Sequence, residues 1–227
     1  MIFGGLRPCS FIDFPGRVAV VAFTQGCNLR CRYCHNPALV AGPPPLRVAP
    51  DEVLALLARR RGKLHGLVVS GGEPTLQPEL APFLAEVKAM GFAVKLDTNG
   101  TRPEVIEALL AARLVDFLAV DLKATPAASG WLCGSGDQPL AARRCLDLAL
   151  SAGVEHEVRT TVASPVHTAA ELDALAATIE GASRWSLQRF RPGDHLDPEA
   201  GLSPPPAALL EAACASARRR GIRATVR

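Results

Sequence analysis

Three cysteines lie within eight residues of one another near the start of the chain, in the segment QGCNLRCRYCHNP. They are Cys27, Cys31 and Cys34, and they come directly after the apolar run VAVVAF. No other feature constrains so strongly what this chain can fold into. Zinc sites, c-type haem attachment, redox disulfides and iron–sulfur clusters all use closely spaced cysteines.

The number and spacing of these cysteines separate the alternatives. A structural zinc site takes four ligands, and no second cysteine pair follows at zinc-ribbon spacing. The c-type haem pattern in residues 31–35 is typical of proteins outside the cytoplasm, and a thioredoxin-like pair would leave one cysteine without a role. Thiolates normally bind all four irons of a [4Fe–4S] cube, so three cysteines favour a cube with one iron open to a substrate or cofactor.

The composition indicates a globular protein. The chain has 227 residues, 48% of them hydrophobic, and its net charge of +3 is too small to indicate nucleic acid binding. Apolar runs such as VAVVAF are too short to span a bilayer, and the first ten residues lack the apolar region of a secretory signal. We therefore expect a cytoplasmic protein with reduced cysteines and with neither a membrane nor a nucleic acid as partner.

Apolar runs rich in β-branched residues alternate with amphipathic stretches, which predicts βαβ units and a parallel sheet. The predicted strands are 17–24, 66–70, 93–97, 117–122, 155–162 and 184–188. The predicted helices are 51–60, 78–90, 103–113, 139–151, 169–179 and 206–220, and Thr168 and Glu171 have the spacing of a capping box. Six units fit either a doubly wound open sheet or a partial (β/α)6 barrel.

Polar motifs recur where the predicted strands end. SGGEPT (70–75), LDTNGT (96–101), DLK (121–123) and QRFRP (188–192) each follow or close a strand, and RTT (159–161) lies within one. The carboxyl ends of parallel strands share one face of the sheet, and functional sites form there. We therefore expect these motifs to converge with the cysteines.

Two of these motifs carry a resemblance to a known family. CNLRCRYC (27–34) resembles the cluster motif of the radical S-adenosylmethionine (SAM) superfamily, and SGGEPT resembles its glycine-rich SAM-binding loop. IDFPGR, FTQGC, YCHN, KLDTNG, DLK and RTTV resemble activating enzymes of glycyl radical enzymes, most closely those of anaerobic ribonucleoside-triphosphate reductase. The resemblance covers about residues 4–192. It implies a partial (β/α)6 TIM-like barrel in one domain over 1–227, with a core at about 17–192 and a C-terminal helix at about 206–220 packed on it.

The resemblance also implies a reaction. Cys27, Cys31 and Cys34 would bind three irons of a [4Fe–4S] cluster, and SAM would chelate the fourth. An electron from a flavodoxin- or ferredoxin-like donor would cleave SAM, and the resulting 5′-deoxyadenosyl radical would abstract hydrogen from a glycine of the partner enzyme, with anaerobic ribonucleoside-triphosphate reductase as the expected partner. The alternative is a radical SAM enzyme that acts on a small molecule, such as a deazaguanine synthase-like enzyme. A non-catalytic iron–sulfur carrier would leave SGGEPT, DTNG and DLK without a purpose.

Further residues are expected to contact SAM. Gly71 and Gly72 allow close approach of the backbone, Glu73 would receive the amino group of SAM, and Pro74 stiffens the turn. An arginine within a strand, Arg159, suits a carboxylate, and the resemblance places it against SAM. The resemblance further implies that Tyr33 packs beside the adenine and that Asp97, Thr98 and Asp121 bind a monovalent cation. Lys123, two residues after Asp121, points to the same side of the strand, where it would meet the SAM carboxylate or the substrate peptide, or else lie at the surface. Gln188 and Arg189 close the last strand and are candidates for a contact with the adenosine.

The remaining cysteines lack cluster spacing, which argues against a disulfide framework or a second cluster. Cys145 lies in a predicted helix and is expected to be a small core residue. Cys133 lies in GWLCGSG, which predicts a glycine-rich loop, and its thiol is a candidate to face the site.

Overall fold

The computed structural model describes all 227 residues, Met1–Arg227, and alternates strands with helices as the sequence pattern predicts. The strands are β1 (Phe3–Phe14), β2 (Arg17–Thr24), β3 (Gly66–Gly71), β4 (Ala93–Thr98), β5 (Phe117–Asp121), β6 (Glu155–Val162), β7 (Arg184–Arg189) and β8 (Arg223–Val226). They form one sheet in chain order. The helices are α1 (Pro50–Arg59), α2 (Leu80–Ala89), α3 (Pro103–Ala111), α4 (Pro126–Cys133), α5 (Gln138–Ala152), α6 (Ala169–Thr178) and α7 (Ala207–Arg219).

All six predicted strands and all six predicted helices are present, with ends that shift by two residues or fewer. This confirms the predicted α/β class with β/α units. Arginine runs close two helices: α1 ends at Arg59 and α7 at Arg219, where cationic side chains are favoured by the helix dipole. None of the helices is both long and apolar enough to cross a bilayer.

Two compact units divide the chain. The first comprises Met1–Asn28, Ala38–Thr98 and Glu104–Leu118, and the second comprises Leu29–Pro37, Asn99–Pro103 and Ala119–Arg227. The single domain expected over 1–227 stays a prediction.

The first unit contains β1 to β4. β1 runs antiparallel to β2, whereas β2, β3 and β4 are parallel, with Val20 opposite Leu67 and Leu67 opposite Val94. These three side chains are fully buried. Strands buried in this way are rich in Val and Leu rather than alternating between apolar and polar residues, which is why their sequence pattern was easy to identify.

The second unit contains β6, β7 and β8, which are parallel, with Val158 opposite Trp185 and Trp185 opposite Ala224. Trp185 is fully buried, and its indole nitrogen donates to the hydroxyl of Thr160 over 2.9 Å. A buried indole normally needs such a partner, so this bond fixes how β7 lies on β6.

Three elements were not predicted from the sequence. β1 and β8 carry exposed residues within the strand, and β8 has no fully buried position, so neither shows a clear apolar pattern. The third is α4, which replaces the expected glycine-rich loop around Cys133. Cys133 is the last residue of this helix because Gly134 adopts a left-handed conformation (φ +81°), which ends helices and favours glycine.

The capping box predicted at α6 forms only in part. Thr168 accepts a hydrogen bond from the backbone N–H of Glu171 over 3.2 Å, as expected. The carboxylate of Glu171 instead accepts from the backbone N–H and the hydroxyl of Thr125, at 2.6 and 2.9 Å. These contacts link the start of α6 to the start of α4.

Candidate functional site

The segment that carries Cys31 lies against the end of α4 in the second unit. The backbone N–H of Arg30 donates to the carbonyl of Cys133 over 3.0 Å, and that of Arg32 donates to Leu132 over 2.9 Å. Bonds on both sides of Cys31 fix its position relative to the helix end. The thiols of Cys31 and Cys133 are hydrogen-bonded to one another, and this bond lowers the pKa of Cys133 to about 6 although burial would raise it.

Cys31 and Cys34 lie in one tight turn, and residues 196 and 197 bind the backbone of this turn. The N–H of Cys34 donates to the carbonyl of Cys31 over 2.9 Å, which closes a tight turn between them. The N–H groups of Leu196 and Asp197 donate to the carbonyls of Cys34 and Arg32, each over 3.0 Å. The side chain of Arg32 also forms an ion pair with Asp197. The sequence pattern had assigned no role to residues beyond 192.

Tyr33, between the two cysteines of this turn, is 4% exposed, and its hydroxyl has no hydrogen-bond partner. Burial raises the pKa of this hydroxyl well above 10, and Lys123 opposes the shift. A buried hydroxyl without a partner is destabilising, so its presence indicates a site that gains its partner from a ligand.

Asp121, Lys123 and Arg159 form a partly buried cluster in the same unit. One carboxylate oxygen of Asp121 lies 2.8 Å from Nε of Arg159, and the other lies 2.7 Å from Nζ of Lys123. Burial alone would raise the pKa of Asp121, but Arg159 and Lys123 lower it to about 2. Burial would lower the pKa of Lys123, but Asp121 raises it well above its usual value. All three groups are therefore charged at neutral pH, and the cluster carries a net charge of +1.

The end of β5 is held by two buried side chains, Gln138 and His167. The sequence analysis assigned neither of them a role. Gln138 donates to the carbonyl of Asp121 over 2.6 Å and accepts from the N–H of Lys123 over 3.2 Å. His167 bonds the carbonyl of Lys123 through Nε2 over 2.9 Å, and its Nδ1 accepts from the N–H of Ala163 over 3.1 Å. Neither residue belongs to a spaced motif, so no sequence signal could have identified it.

In the first unit, the glycine-rich segment packs against the backbone that leads to Cys27. A Cβ atom at Gly72 would lie 2.0 Å from the carbonyl oxygen of Gly26, and Gly71 has φ +111°. The N–H of Glu73 donates to the same oxygen of Gly26 over 2.8 Å. Only glycine allows this approach of two chain segments.

Glu73 is fully buried and is held by threonines. Its Oε1 accepts from the N–H and the hydroxyl of Thr75, at 3.1 and 2.5 Å, and from the hydroxyl of Thr98 over 2.7 Å. Asp97, the next predicted site residue, forms a buried ion pair with Lys95. The structure therefore joins Glu73 to Thr98 and pairs Asp97 with a cation of the same strand.

The other predicted site residues are placed as follows. The N–H of Cys27 donates to the carbonyl of Val40 over 3.2 Å, and Gln188 accepts from the hydroxyl of Thr161 over 3.2 Å. Pro74 is buried and begins a short 3-10 helix over Pro74–Leu76. Within the second unit the structure brings together Cys31, Tyr33, Asp121, Lys123 and Arg159.

The sequence of the chain can be compared with known families at this point. The sequence model described as the Radical SAM superfamily matches residues 21–179, which is more than half of the chain. The chain belongs to the radical SAM superfamily. Radical SAM enzymes use a [4Fe–4S] cluster and SAM, which confirms the two cofactors expected from the sequence.

Curated relatives narrow the likeness within the radical SAM superfamily. The chain is 32% identical over 210 residues to "Putative glycyl-radical enzyme activating enzyme MJ1227" of Methanocaldococcus jannaschii, covering 89% of this chain and 85% of that protein. Shorter matches cover 39% of the chain and 37% of each relative. These are a pyruvate formate-lyase-activating enzyme of Staphylococcus aureus strain USA300, 40% identical, and a 7-carboxy-7-deazaguanine synthase of Rhodospirillum rubrum, 41% identical.

Among solved structures, a radical SAM methyltransferase from Sphaerobacter thermophilus has the same fold. Its TM-score is 0.73 at 23% identity, and the likeness covers 96% of this chain and 68% of that one. The α/β architecture predicted from the sequence is therefore that of a radical SAM core.

The residues of each unit fit the cofactors of a radical SAM enzyme. In the second unit, Cys31 and Cys34 supply thiolates from one tight turn, and the buried hydroxyl of Tyr33 lacks a partner that a ligand would provide. In the first unit, the close approach of Gly72 to Gly26 leaves no room for a side chain beside the segment that leads to Cys27. Thiolates are the ligands that such a cluster requires.

Proposed function

We propose that this radical SAM enzyme activates a glycyl radical enzyme by removing a hydrogen atom from a glycine of that partner. The observation that supports this most is the likeness to a glycyl-radical enzyme activating enzyme over 89% of the chain. The resemblance of IDFPGR, FTQGC and YCHN suggests anaerobic ribonucleoside-triphosphate reductase as the partner and a flavodoxin- or ferredoxin-like protein as the electron donor.

In this proposal Cys27, Cys31 and Cys34 bind the cluster. When bound, the cluster and SAM together supply the one-electron chemistry that makes the hydrogen abstraction possible. The chain must hold the thiolates in place during electron transfer. The backbone bonds at Arg30, Arg32 and Cys34 do this for the second and third cysteines.

The charged cluster would bind the carboxylate of SAM. Lys123 and Arg159 place two cationic side chains beside one another, and charge-assisted hydrogen bonds from such groups suit a carboxylate. Asp121 keeps both cations charged and oriented, and Gln138 and His167 fix the backbone that carries Lys123. Because these side chains are largely buried, the attraction is weakly screened by salt.

The first unit would bind the amino group of the methionine moiety. Gly71, Gly72 and Glu73 offer backbone groups and a carboxylate to the amino group, and Pro74 stiffens the segment. Glu73 is locked by Thr75 and Thr98, so it needs no rearrangement when the ligand binds. We further propose Tyr33 and Gln188 as contacts for the adenosine.

The monovalent cation beside SAM stays a prediction. Its expected ligands were Asp97, Thr98 and Asp121. Asp97 is ion-paired with Lys95, and Asp121 is paired with Lys123 and Arg159. These contacts provide charge balance that a cation would otherwise supply.

An anaerobic experiment tests the proposed function. The purified chain is loaded with iron and sulfide, reduced with dithionite and mixed with SAM, with and without a candidate glycyl radical enzyme. We expect release of 5′-deoxyadenosine and a persistent glycyl doublet in the electron paramagnetic resonance spectrum of the partner. No 5′-deoxyadenosine under strong reduction would reject any radical SAM activity of this chain.

Variants locate the cluster in the same experiment. Cys31→Ala should lose the visible absorption of the cluster and release no 5′-deoxyadenosine, whereas Cys214→Ala, a half-buried thiol in α7, should behave as the unmodified chain. Full iron content in Cys31→Ala would contradict the ligand assignment.

A radical SAM enzyme that acts on a small molecule is the second candidate. The 41% identity to 7-carboxy-7-deazaguanine synthase over 90 residues favours it. Turnover of a small molecule without a glycyl doublet on any partner would select this candidate over the activase.

A further inference from the structure

An open cavity of about 540 Å³ lies at the amino ends of β6, β7 and β8, and no step of the proposed reaction uses it. Its lining includes Glu155, Arg184 and Arg223, which are the first residues of these three strands. Apolar side chains from the end of α5, such as Leu150, line another part of it. A cavity of this size, with an apolar lining and a few polar groups, is typical of small-molecule sites.

Two arginines of this cavity are direct neighbours across the sheet. Arg184 of β7 is paired with Arg223 of β8 in their parallel register, so both side chains leave the same face of the sheet. Adjacent strands lie only about 4.8 Å apart, and like charges on directly paired residues destabilise a sheet. A cation can protect an edge strand from aggregation, but β7 lies between β6 and β8 and needs no such protection. The repulsion between the two arginines is therefore a cost that a bound anion would offset.

The acidic side chain of the cavity balances the two arginines only in part. Glu155 lies 3.7 Å from Arg184, which is longer than a hydrogen bond, and its side chain is 67% exposed. Arg223 is exposed, and its side chain forms no ion pair. With one carboxylate and two guanidinium groups, the charged side chains of the lining sum to +1.

Other polar groups of the lining already have partners within the chain. Nε2 of His156 accepts from the N–H of Ser183 over 3.2 Å, so this imidazole is neutral, and the hydroxyl of Ser183 donates to the carbonyl of His156 over 3.1 Å. At the end of α5 the carbonyl of Leu150 accepts from the N–H of Gly153 over 3.1 Å. The two guanidinium groups are therefore the main donors that the cavity offers to a ligand.

We propose that this cavity binds a small organic phosphate, whose phosphate group is held between Arg184 and Arg223. A phosphate monoester has three acceptor oxygens and a charge of about −1.5 to −2 at neutral pH, so it accepts from both guanidinium forks at once. A carboxylate has two oxygens, and a single arginine satisfies both. The apolar part of the ligand lies against Leu150. The inference goes beyond the proposed function and depends on neither the cluster nor SAM.

The test measures the binding of phenyl phosphate to the full-length, anaerobically loaded chain by isothermal titration calorimetry at constant ionic strength. Benzoate is the carboxylate of similar size. Arg223→Gln removes one guanidinium, and Arg223→Lys keeps its charge without the fork. Arg218→Gln is the matched control, because Arg218 is an exposed arginine of α7 that does not line the cavity. Circular dichroism checks that each variant is folded.

We expect the unmodified chain to bind phenyl phosphate at one saturable site, about tenfold more tightly than benzoate. Arg223→Gln should weaken this binding about tenfold, the size of one hydrogen bond between charged groups. Arg223→Lys should recover part of the loss, since it restores the charge but not the planar fork. Arg218→Gln should match the unmodified chain.

Three results would overturn the inference. The first is no saturable binding at millimolar phenyl phosphate. The second is an affinity that Arg223→Gln leaves unchanged or that Arg218→Gln lowers equally, because binding would then reflect the overall charge of the chain. The third is benzoate that binds as tightly as phenyl phosphate, which would contradict the choice of a phosphate.

Discussion

Tyr33 carries its hydroxyl in a buried position where no donor or acceptor reaches it. Folded chains rarely leave such groups without a partner, because the lost hydrogen bonds to water are not replaced. The neighbouring Asp121, Lys123 and Arg159 show the opposite arrangement, because the carboxylate of Asp121 contacts both cations. At the scale of single residues, one feature is a buried hydroxyl without a partner and the other is a carboxylate that orients two cations.

Removing the hydroxyl of Tyr33 should stabilise the chain without its cofactors and weaken SAM binding. We expect Tyr33→Phe to raise the free energy of unfolding by about 1 kcal/mol, because an unsatisfied buried group is removed. Urea denaturation and equilibrium binding of SAM to the loaded chain measure the two effects. Trp185→Phe is the control: it deletes a buried N–H that does have a partner, Thr160, and should destabilise the chain.

Asp121 gives the stability of the chain a defined pH dependence. Its pKa lies near 2 in the folded chain, below its ordinary value of 3.8, so its contribution is present above pH 3.8 and is lost as the pH falls through about 2. Asp121→Asn leaves two partly buried cations without their anion and should cost about 2 kcal/mol at pH 7.

The free energy of unfolding of Asp121→Asn should approach that of the unmodified chain as urea denaturation is repeated at progressively lower pH. The reason is that the carboxylate of Asp121 in the unmodified chain then becomes protonated. A difference between the two chains that stays constant from pH 7 to pH 2 would contradict the ion pairs described here.

At the scale of elements, close backbone contacts at the ends of β3 and α4 fix the position of the segments that carry the cysteines. β3 ends in Gly71, whose neighbour Gly72 touches the backbone of Gly26. α4 ends at Cys133, where its last carbonyl groups accept from the segment of Cys31. In both cases the cysteine segment is positioned by backbone contacts that a small change in the element would displace.

A methyl group at Gly72 cannot be accommodated without moving this backbone. We expect Gly72→Ala to destabilise the chain by about 2 kcal/mol through overpacking and to lower SAM affinity. Gly136→Ala is the matched control, because nothing lies within 4 Å of a Cβ built there. Equal denaturation midpoints for the two variants would show that the segment at Gly72 has room to move.

At the scale of the whole molecule, residues after 192, where the family resemblance ends, contact the segment of the cysteines and extend the sheet. Leu196 and Asp197 bond the turn of the cysteines, and β8 completes the pairing of β7. The radical SAM model ends at residue 179, so these contacts belong to the part of the chain outside the family match.

Loss of the ion pair between Asp197 and Arg32 should make the turn that carries Cys31 and Cys34 less rigid. Asp197→Ala removes the ion pair with Arg32, which is partly exposed, so stability should fall by less than about 1 kcal/mol. The cluster should nevertheless be lost faster, because Arg32 lies between Cys31 and Cys34, two of the three cysteines proposed as ligands. The half-life of the cluster absorbance in a chelator measures this. Glu199→Ala, an exposed acid two residues away, should retain the unmodified half-life.

Much of this protein could be predicted from local sequence. The buried strands β2, β3 and β5 are largely apolar runs, and the cysteine spacing and SGGEPT are short motifs, so a few neighbouring residues define each of them. The edge strands β1 and β8 could not be predicted, because an edge strand buries too few residues to give a pattern.

The sequence by itself determined the order of strands and helices, the superfamily and its cofactors, because these depend on periodicity and on spacing within a few residues. Only the tertiary structure decided that Cys133 faces Cys31, that Gln138 fixes the end of β5, and that Asp197 pairs with Arg32, 165 residues away. Such contacts depend on how distant segments pack, and no local pattern of residue types encodes them.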